Sequence, residues 1–409
     1  MCHPKPTENS GPQGLIKGGV LLYRILYHVL RTSILFWLWS LGILLHLRLR
    51  VPVLAPAHGP APSPALPALS VVLPVRDEAR NVRDCLSSLL AQDYPHFEVI
   101  VLDDCSRDAT ASIAREVARF HPRAKVLCGA PPPMGWIGKS RANHQAQRHA
   151  HGTWLLFTDA DVRLHPQTLS QAVTAAQDSG ADTISVVQHL ECRGFWERVL
   201  QPAFAQFILT VRPPLLVNSR WSRTAYATGQ FILVRREAYD RSGGHAAVRD
   251  DIADDVALAG LLKRCGYALL LVDATKMVRV RMYHGLGEIR AGWRKSLYPA
   301  SGNRPLLAAA TLLTLFISSI LPALTLLGWC VGLRARVVDV ARTSALLMLA
   351  TRIWGSRLLH TSPAYALGQP LAAAALSAVY VSSVVRHYAG GGQEWKGRSY
   401  PGGVGSARR

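Results

Sequence analysis

The sequence is poor in charged side chains, which make up only 18% of its 409 residues, and it has few acids, with 26 Asp and Glu against 46 Lys and Arg. Soluble domains usually carry about a quarter charged residues. Together with 49% hydrophobic residues, this excludes a disordered or fibrous chain and indicates a soluble body with membrane segments attached. The seven cysteines are odd in number and lack Cys-x-x-Cys spacing, which argues against a zinc site or a disulfide framework.

The net charge of +20 raises the question of nucleic-acid binding. Residues 1–65 carry six basic and one acidic side chain and residues 305–409 carry ten and two, which leaves only +7 for the long middle part. Basic residues beside apolar runs suit anionic lipid headgroups and topology signals. The predicted partner is therefore a membrane and not a nucleic acid.

The composition changes along the chain predict five parts. They are a membrane anchor (1–50), a Pro- and Ala-rich linker (51–68), an α/β domain (69–304), a transmembrane region (305–386) and a basic cytoplasmic tail (387–409).

The apolar segments differ in how strongly the sequence predicts that they span a membrane. In the anchor, residues 27–47 provide about 20 residues of apolar chain, enough to cross the hydrocarbon layer; a helix lying on the membrane is the alternative. Residues 306–333 carry no charge and residues 364–385 are similarly apolar, so both are predicted to span. The stretch 337–353 contains three charges, and its position, whether spanning, re-entrant or on the surface, stays open.

Strand-like and helix-like stretches alternate in the middle part. Strands are predicted at 69–75, 97–102, 124–127 and 154–157, and helices at 78–91, 109–120 and 140–151, the last one ending at Gly152. This alternation predicts an open, mostly parallel sheet. Ligands bind such sheets at the carboxyl ends of the strands, where the acidic clusters of this sequence fall.

Three acidic clusters are candidates for chemistry. Asp103 and Asp104 follow the second strand, although helix capping by Ser106 and Asp108 explains part of that cluster. Asp159 and Asp161 follow the fourth strand and, two residues apart on extended chain, face the same side. Both can therefore approach one Mg²⁺ or Mn²⁺ ion.

The third cluster contains Asp254 and Asp255 at the start of a predicted helix. Carboxylates are favoured there by the helix dipole, which is the purely structural interpretation. The functional one makes Asp255 a general base directed into the cleft.

Five motifs follow one another in residues 69–300, at positions 72–78, 103–108, 138–143, 159–161 and 254–258. Their order and spacing resemble the family 2 glycosyltransferases, which have the GT-A fold, a Rossmann-like α/β domain. The segments 135–139 and 395–398, with the flanking apolar helices, make the chain similar to the carotenoid- and hopanoid-associated membrane members.

The resemblance implies roles for individual residues. The nucleotide-sugar would be bound by Asp103, Asp104, Lys139, Asp159 and Glu78, and the metal ion by Asp161 and Asp159. Asp255 would be the base, with Asp254 where the family usually has Glu. The acceptor side would include Gly229, Gln230, Trp293 and Arg294.

The resemblance further implies an inverting enzyme that transfers a sugar from a UDP- or GDP-sugar to a hydroxyl or phosphate of a carotenoid, hopanoid, polyprenyl or glycerolipid acceptor. The expected location is a bacterial inner membrane, with the catalytic domain in the cytoplasm. A helix over residues 193–212, either interfacial or in the core, would adjoin the acceptor.

Two other functions stay open, a processive polysaccharide synthase and a non-catalytic membrane scaffold. Processive members carry a Gln/Arg-x-x-Arg-Trp motif, but here Gly292 precedes Trp293. That departure weakens the synthase hypothesis, and Arg290 or Arg294 would have to supply the missing charge.

Overall fold

The computed structural model of the chain describes residues 13–57, 65–328, 335–389 and 393–400. Within these residues the strands are β1 (Leu69–Val75), β2 (Phe97–Asp103), β3 (Ala124–Cys128), β4 (Trp154–Phe157), β5 (Val162–Leu164), β6 (Thr183–Val187), β7 (His189–Leu190), β8 (Ile232–Arg235), β9 (Leu269–Asp273), β10 (Val278–Val280), β11 (Gln393–Trp395) and β12 (Arg398–Tyr400). They form a seven-stranded sheet in the order β3-β2-β1-β4-β8-β6-β9, a small sheet β5-β10-β7, and the hairpin β11-β12.

The helices flank this sheet and form the apolar parts of the chain. They are α1 (Gln13–Arg50), α2 (Val82–Leu90), α3 (Thr110–Ala118), α4 (Gly138–Gln147), α5 (Thr168–Ser179), α6 (Phe195–Val211), α7 (Pro214–Val217), α8 (Arg236–Ser242), α9 (Gly244–Ala247), α10 (Asp254–Arg264), α11 (Gly285–Ala300), α12 (Pro305–Leu315), α13 (Leu321–Leu327), α14 (Ala335–Leu358) and α15 (Gln369–Tyr388).

The large sheet is mostly parallel, as predicted, because only β8 runs antiparallel to its neighbours β4 and β6. Its central strands are continuous apolar runs buried on both faces, which is typical of parallel strands covered by helices. Val75 at the end of β1 pairs with Asp103 at the end of β2, and Val72 pairs with Phe157 at the end of β4. The segments that follow these three strands therefore leave the sheet at one edge.

The predicted strands match the structure to within one residue at each end, whereas the first two helices are shorter than predicted. The expectation that Gly152 ends a helix is wrong, because α4 already ends at Gln147. Gly152 instead packs against β1, and a Cβ there would lie 2.5 Å from the backbone nitrogen of Ser70. Its small size serves close strand packing and not a helix cap.

Three helical segments are long and apolar enough to cross a membrane: Leu21–Arg50, Pro305–Leu327 and Pro363–Tyr388. The second contains a π-helical stretch, Phe316–Ile320, shortly before Pro322. Such stretches interrupt the regular α-helical hydrogen bonds and bend helices. The predicted span 306–333 is therefore interrupted by a π-helical turn; residues 329–334 lie outside the described part of the chain.

Helix α14, which covers the charged stretch 337–353, packs along α1. Ser33 Oγ lies 2.6 Å from Ser344 Oγ, and a Cβ on Gly355 would lie 3.3 Å from Leu44. The contact of Ser33 with Ser344 is followed eleven residues later in both helices by the contact of Leu44 with Gly355. Helices α1 and α14 are therefore parallel. Helix α1 runs into the sheet domain, and Leu359, just after α14, belongs to that domain's buried core.

Helix α15 is arranged differently. Gln369 at its start donates to Ser319 Oγ at 3.3 Å, deep in the helical bundle, whereas Tyr388 at its end contacts the Tyr298 hydroxyl at 3.0 Å. Tyr298 belongs to α11, which precedes the membrane region. Helix α6, predicted to be interfacial or in the core, lies between these parts, because it contacts α1, α11, α14 and α15.

Candidate functional site

The loops after β1 and β2 are tied together by hydrogen bonds. The amide of Asp77 donates to Ser106 Oγ at 3.1 Å, and the amide of Arg107 donates to Asp77 Oδ1 at 2.7 Å. Asp77 (φ 49°) and Cys105 (φ 57°) both adopt the left-handed conformation. Strained backbone of this kind persists where surrounding contacts hold it, often at functional sites.

These loops present Glu78 and Asp104, and both carboxylates are paired with the C-terminal hairpin. Glu78 Oε1 lies 2.5 Å from Lys396 Nζ, and Asp104 Oδ2 lies 2.5 Å from Arg398 Nη1. Burial raises the pKa of Asp104, and Arg398 opposes that shift. Neighbouring Asp103 is also buried, and its Oδ2 accepts from the amide of Ser106 at 3.3 Å.

The two aspartates after β4 stand in different surroundings. Asp159 pairs with Lys139, whose Nζ lies 2.7 Å from Asp159 Oδ1. Asp161 Oδ1 is buried with no hydrogen-bond partner among the described residues. Burial, followed by the charges of Asp159 and Glu78, raises the pKa of Asp161 to about 7.

This arrangement fits a divalent cation that is completed by a ligand. Within the described residues, no group of three or more His, Cys, Asp or Glu side chains could hold a metal ion by itself. Magnesium sites in enzymes of phosphate chemistry often use one or two carboxylates and take the remaining ligands from phosphates and water. The buried, unpartnered oxygen of Asp161, beside Asp159, suits such a site.

Three predicted residues from separate segments converge on Gly229. A Cβ on Gly229 would lie 2.7 Å from Lys139 Nζ, 3.2 Å from Asp159 Oδ2 and 3.5 Å from Asp255 Oδ2. Burial alone would lower the pKa of Lys139, but Asp159, Asp254 and Asp255 outweigh it and raise that pKa. The lysine therefore stays protonated between the two acidic clusters.

The carboxylate of Asp255 is held by two backbone amides. Gly229 donates to Oδ2 at 2.9 Å, and Val256 donates to Oδ1 at 2.8 Å. Each carboxylate oxygen keeps at least one further acceptor position. Asp255 is thus oriented by the chain while it can still accept a proton.

Sequence reasoning missed a network that supports Asp254. His245 Nε2 lies 3.7 Å from Asp254 Oδ2 and 3.3 Å from Asn143 Nδ2, and His245 Nδ1 lies 2.9 Å from the Tyr239 hydroxyl. Burial, then Lys139 and His144, lowers the pKa of His245 to about 3, so its ring is neutral. Burial raises the pKa of Asp254 to about 6. The only sequence signal for His245 is its position after the Gly243-Gly244 turn.

A cavity of about 280 Å³ opens beside these acids. Its polar lining includes Lys139, Gln230, Asp254 and Asp255. The rest of the wall is mainly apolar and includes Val187, Leu190, Phe204, Ile208, Met282 and Trp293. Of the predicted acceptor-side residues, Gln230 and Trp293 line this cavity, while Gly229 contacts its acids and Arg294 does not line it.

A second groove, of about 560 Å³, contains Glu78 and Asp161. Tyr283 and Lys295, which sequence reasoning also missed, belong to both the cavity and the groove. Tyr283 explains the departure at Gly292, since a Cβ at Gly292 would overlap the Tyr283 ring. An arginine at position 292 is therefore incompatible with this wall.

The comparisons agree with this architecture. Residues 70–243 match the family described as Glycosyl transferase family 2. A 4,4'-diaponeurosporenoate glycosyltransferase of Staphylococcus aureus (strain USA300) is 28% identical over 343 residues, covering 81% of this chain and 88% of the relative. The solved mannosyltransferase PcManGT of Pyrobaculum calidifontis, in complex with GDP-Man and Mn²⁺, superposes with a TM-score of 0.57 at 21% identity, covering 90% of this chain and 97% of that one.

The mostly parallel sheet, with acids at the carboxyl ends of its strands, agrees with the family match over residues 70–243. The likeness to the solved mannosyltransferase supports a GT-A-like fold. The domain that contains residues 70–243 therefore matches the family 2 glycosyltransferases and has a GT-A-like fold, and long apolar helices lie on both sides of it in the chain.

Proposed function

We propose that this enzyme transfers a sugar from a UDP- or GDP-sugar to the polar end of a membrane lipid, with inversion at the anomeric carbon. The lipid would be of the carotenoid, hopanoid, polyprenyl or glycerolipid class. The catalytic domain would face the cytoplasm, where nucleotide-sugars are made. The Staphylococcus aureus relative, whose name gives a carotenoid acid as its acceptor, supports this choice of acceptor class.

The observation that carries the proposal is the mainly apolar cavity whose lining includes Asp255. A water-soluble acceptor would need polar groups along most of its binding site, whereas this wall is mainly apolar. Apolar cavities with a few convergent polar groups are typical binding sites for largely hydrophobic molecules. Helix α6, packed between the domain and the apolar helices, forms one side through Phe204 and Ile208.

Asp255 would act as the general base. As the acceptor oxygen attacks the anomeric carbon, its proton passes to a carboxylate oxygen of Asp255. The new carbon–oxygen bond forms while the bond to the diphosphate breaks, and the nucleoside diphosphate leaves with the electron pair. The amides of Gly229 and Val256 keep the carboxylate in place during this transfer.

The donor would lie in the groove on the other side of Tyr283. Asp159 and Asp161 would hold Mg²⁺ or Mn²⁺, which offsets negative charge on the departing diphosphate. Asp103, Asp104 and Glu78 would lie nearer the nucleoside. Lys139, fixed by Asp159 at 2.7 Å, would keep Asp159 oriented and add positive charge between donor and base.

The test is incubation of membranes containing the protein with radiolabelled UDP- and GDP-sugars, followed by lipid extraction. We expect label in the organic phase that depends on the divalent cation. Insoluble polymeric product would support a processive synthase instead, and absence of turnover with every donor would support a scaffold. Membranes with Asp178→Asn, an exposed aspartate on α5, serve as the matched control for site variants.

A further inference from the structure

The C-terminal hairpin β11-β12 reaches the acidic edge of the catalytic sheet. Trp395 pairs with Arg398, so the loop consists of only Lys396 and Gly397. Both loop residues have positive φ, 45° and 73°, as in a tight type I′ turn. Lysine is an unfavourable residue in that conformation, which indicates that its side chain has a specific use at the tip.

The contacts of Lys396 define that use. Its Nζ donates to the carbonyl oxygens of Arg76 and Asp77 at 2.6 and 3.2 Å and lies 2.5 Å from Glu78 Oε1. Arg76 Nε in turn donates to the Lys396 carbonyl oxygen at 3.1 Å. These residues follow β1, about 320 positions earlier in the chain.

Lys396 also stands on the boundary between two sites of opposite charge. On one side is the groove with Glu78 and Asp161. On the other side is a pocket of about 210 Å³ whose lining includes Arg294, Lys295, Arg386, His387 and Lys396. A ligand phosphate between the two sites would therefore lie near Lys295 and Lys396, which line both.

We propose that residues 393–400 form a strap across the donor groove, in which Lys396, held by its three contacts after β1, places a positive charge beside the donor diphosphate and Arg398 fixes the strap on Asp104. Because Gly292 leaves no room for an arginine beside Tyr283, Lys396 adds a positive charge to the groove alongside Lys295 of α11. This inference rests on the proposed nucleotide-sugar donor.

Arg398 is the positioning residue of the strap. Its partner Asp104 has only 1% of its side chain exposed. Removing one member of a buried ion pair leaves the other uncompensated. Loss of Arg398 would thus loosen the strap and act on the donor through Lys396.

The experiment compares Lys396→Gln, Lys396→Arg and Arg398→Gln in the full-length protein, with Lys276→Gln at an exposed lysine as the control. The measurements are the KM for donor and for acceptor, and the Kd of UDP and GDP with Mn²⁺. Loss of the positive charge beside the diphosphate should raise the donor KM and the Kd about tenfold or more in Lys396→Gln. The acceptor KM and the Lys276→Gln values should stay unchanged, Lys396→Arg should recover most of the affinity, and Arg398→Gln should resemble Lys396→Gln.

A wild-type donor KM and Kd in both Lys396→Gln and Arg398→Gln would overturn the strap and leave the proposed function standing. Wild-type protein that binds neither UDP nor GDP and turns over no nucleotide-sugar would overturn the proposed function, and the strap with it. Equal increases of the donor and acceptor KM in Lys396→Gln would also contradict a role specific to the diphosphate.

Discussion

The backbone amide of Gly229 donates a hydrogen bond to Asp255 Oδ2 at 2.9 Å, joining the segment before β8 to the start of α10. Beyond the same glycine lie Lys139 and Asp159, at distances that leave no space for a side chain. One small residue therefore sets the separation between the proposed base and the carboxylates after β4.

Gly229→Ala is expected to damage catalysis more than folding. The new methyl group would lie 2.7 Å from Lys139 Nζ, and this flexible side chain would move away from Asp159. Weakening a charged hydrogen bond by about 1.5–3 kcal/mol predicts a roughly tenfold or greater fall in kcat/KM. Steady-state kinetics and thermal unfolding measure the two effects.

Gly287→Ala is the matched control, because nothing lies within 4 Å of a Cβ at Gly287. It should keep wild-type kcat/KM. An equal loss of activity in both variants, or none in Gly229→Ala, would contradict the proposed crowding at Gly229.

Gly292→Ala tests the wall formed by Tyr283. The added Cβ overlaps the tyrosine ring, and overpacking of this kind costs about 1–3 kcal/mol in the free energy of unfolding. Removing the ring in the double variant Tyr283→Ala with Gly292→Ala should reduce that cost. Chemical denaturation of the four proteins of this cycle gives the coupling energy, and strictly additive effects would show that the two residues do not share the space.

The acids at the carboxyl ends of the strands were predictable from sequence because each cluster directly follows an apolar run in the chain. Apolar runs followed by acids predict strands with acids at their ends, and the registers of Val75 with Asp103 and of Val72 with Phe157 bring the first two clusters to one edge of the sheet. The network around Asp254 was not predictable, because His245 and Tyr239 meet through packing of α8 and α9. Lys396 was noticed only as part of a terminal motif, since no local pattern indicates contact with Glu78.

The membrane segments show the limits of hydropathy. The stretch 337–353 carries charges that left its position open, yet α14 lies parallel to α1, and its buried Arg352 donates to Gln206 Oε1 at 3.1 Å. The stretch 364–385 is apolar enough to span. Its helix, however, begins against Ser319 inside the bundle and ends at Tyr298. Composition does not reveal these tertiary contacts. They distinguish α14, which lies along α1, from α15, which returns from the bundle to α11.

This packing predicts a specific topology. If α12–α13 leads away from the catalytic domain and α14 returns to it, Leu327 and Arg357 lie on opposite sides of the membrane. Single cysteines at these two positions, in a background with the native cysteines replaced by serine, should react with an impermeant reagent from opposite sides. Arg357→Cys should react only from the side that carries the catalytic domain, and labelling of both positions from the same side would contradict the assignment of α14 as a crossing.

The most direct test of the central claim is the effect of Asp255→Asn on formation of the lipid-linked sugar. Loss of a general base typically costs about 10²- to 10⁴-fold in rate, whereas the asparagine keeps the size of the side chain and its hydrogen bond from Gly229. We expect the rate of lipid-extractable glycoside formation to fall by this amount, with an unchanged donor KM, while Asp178→Asn retains the wild-type rate. A wild-type rate of glycolipid formation in Asp255→Asn would contradict the account.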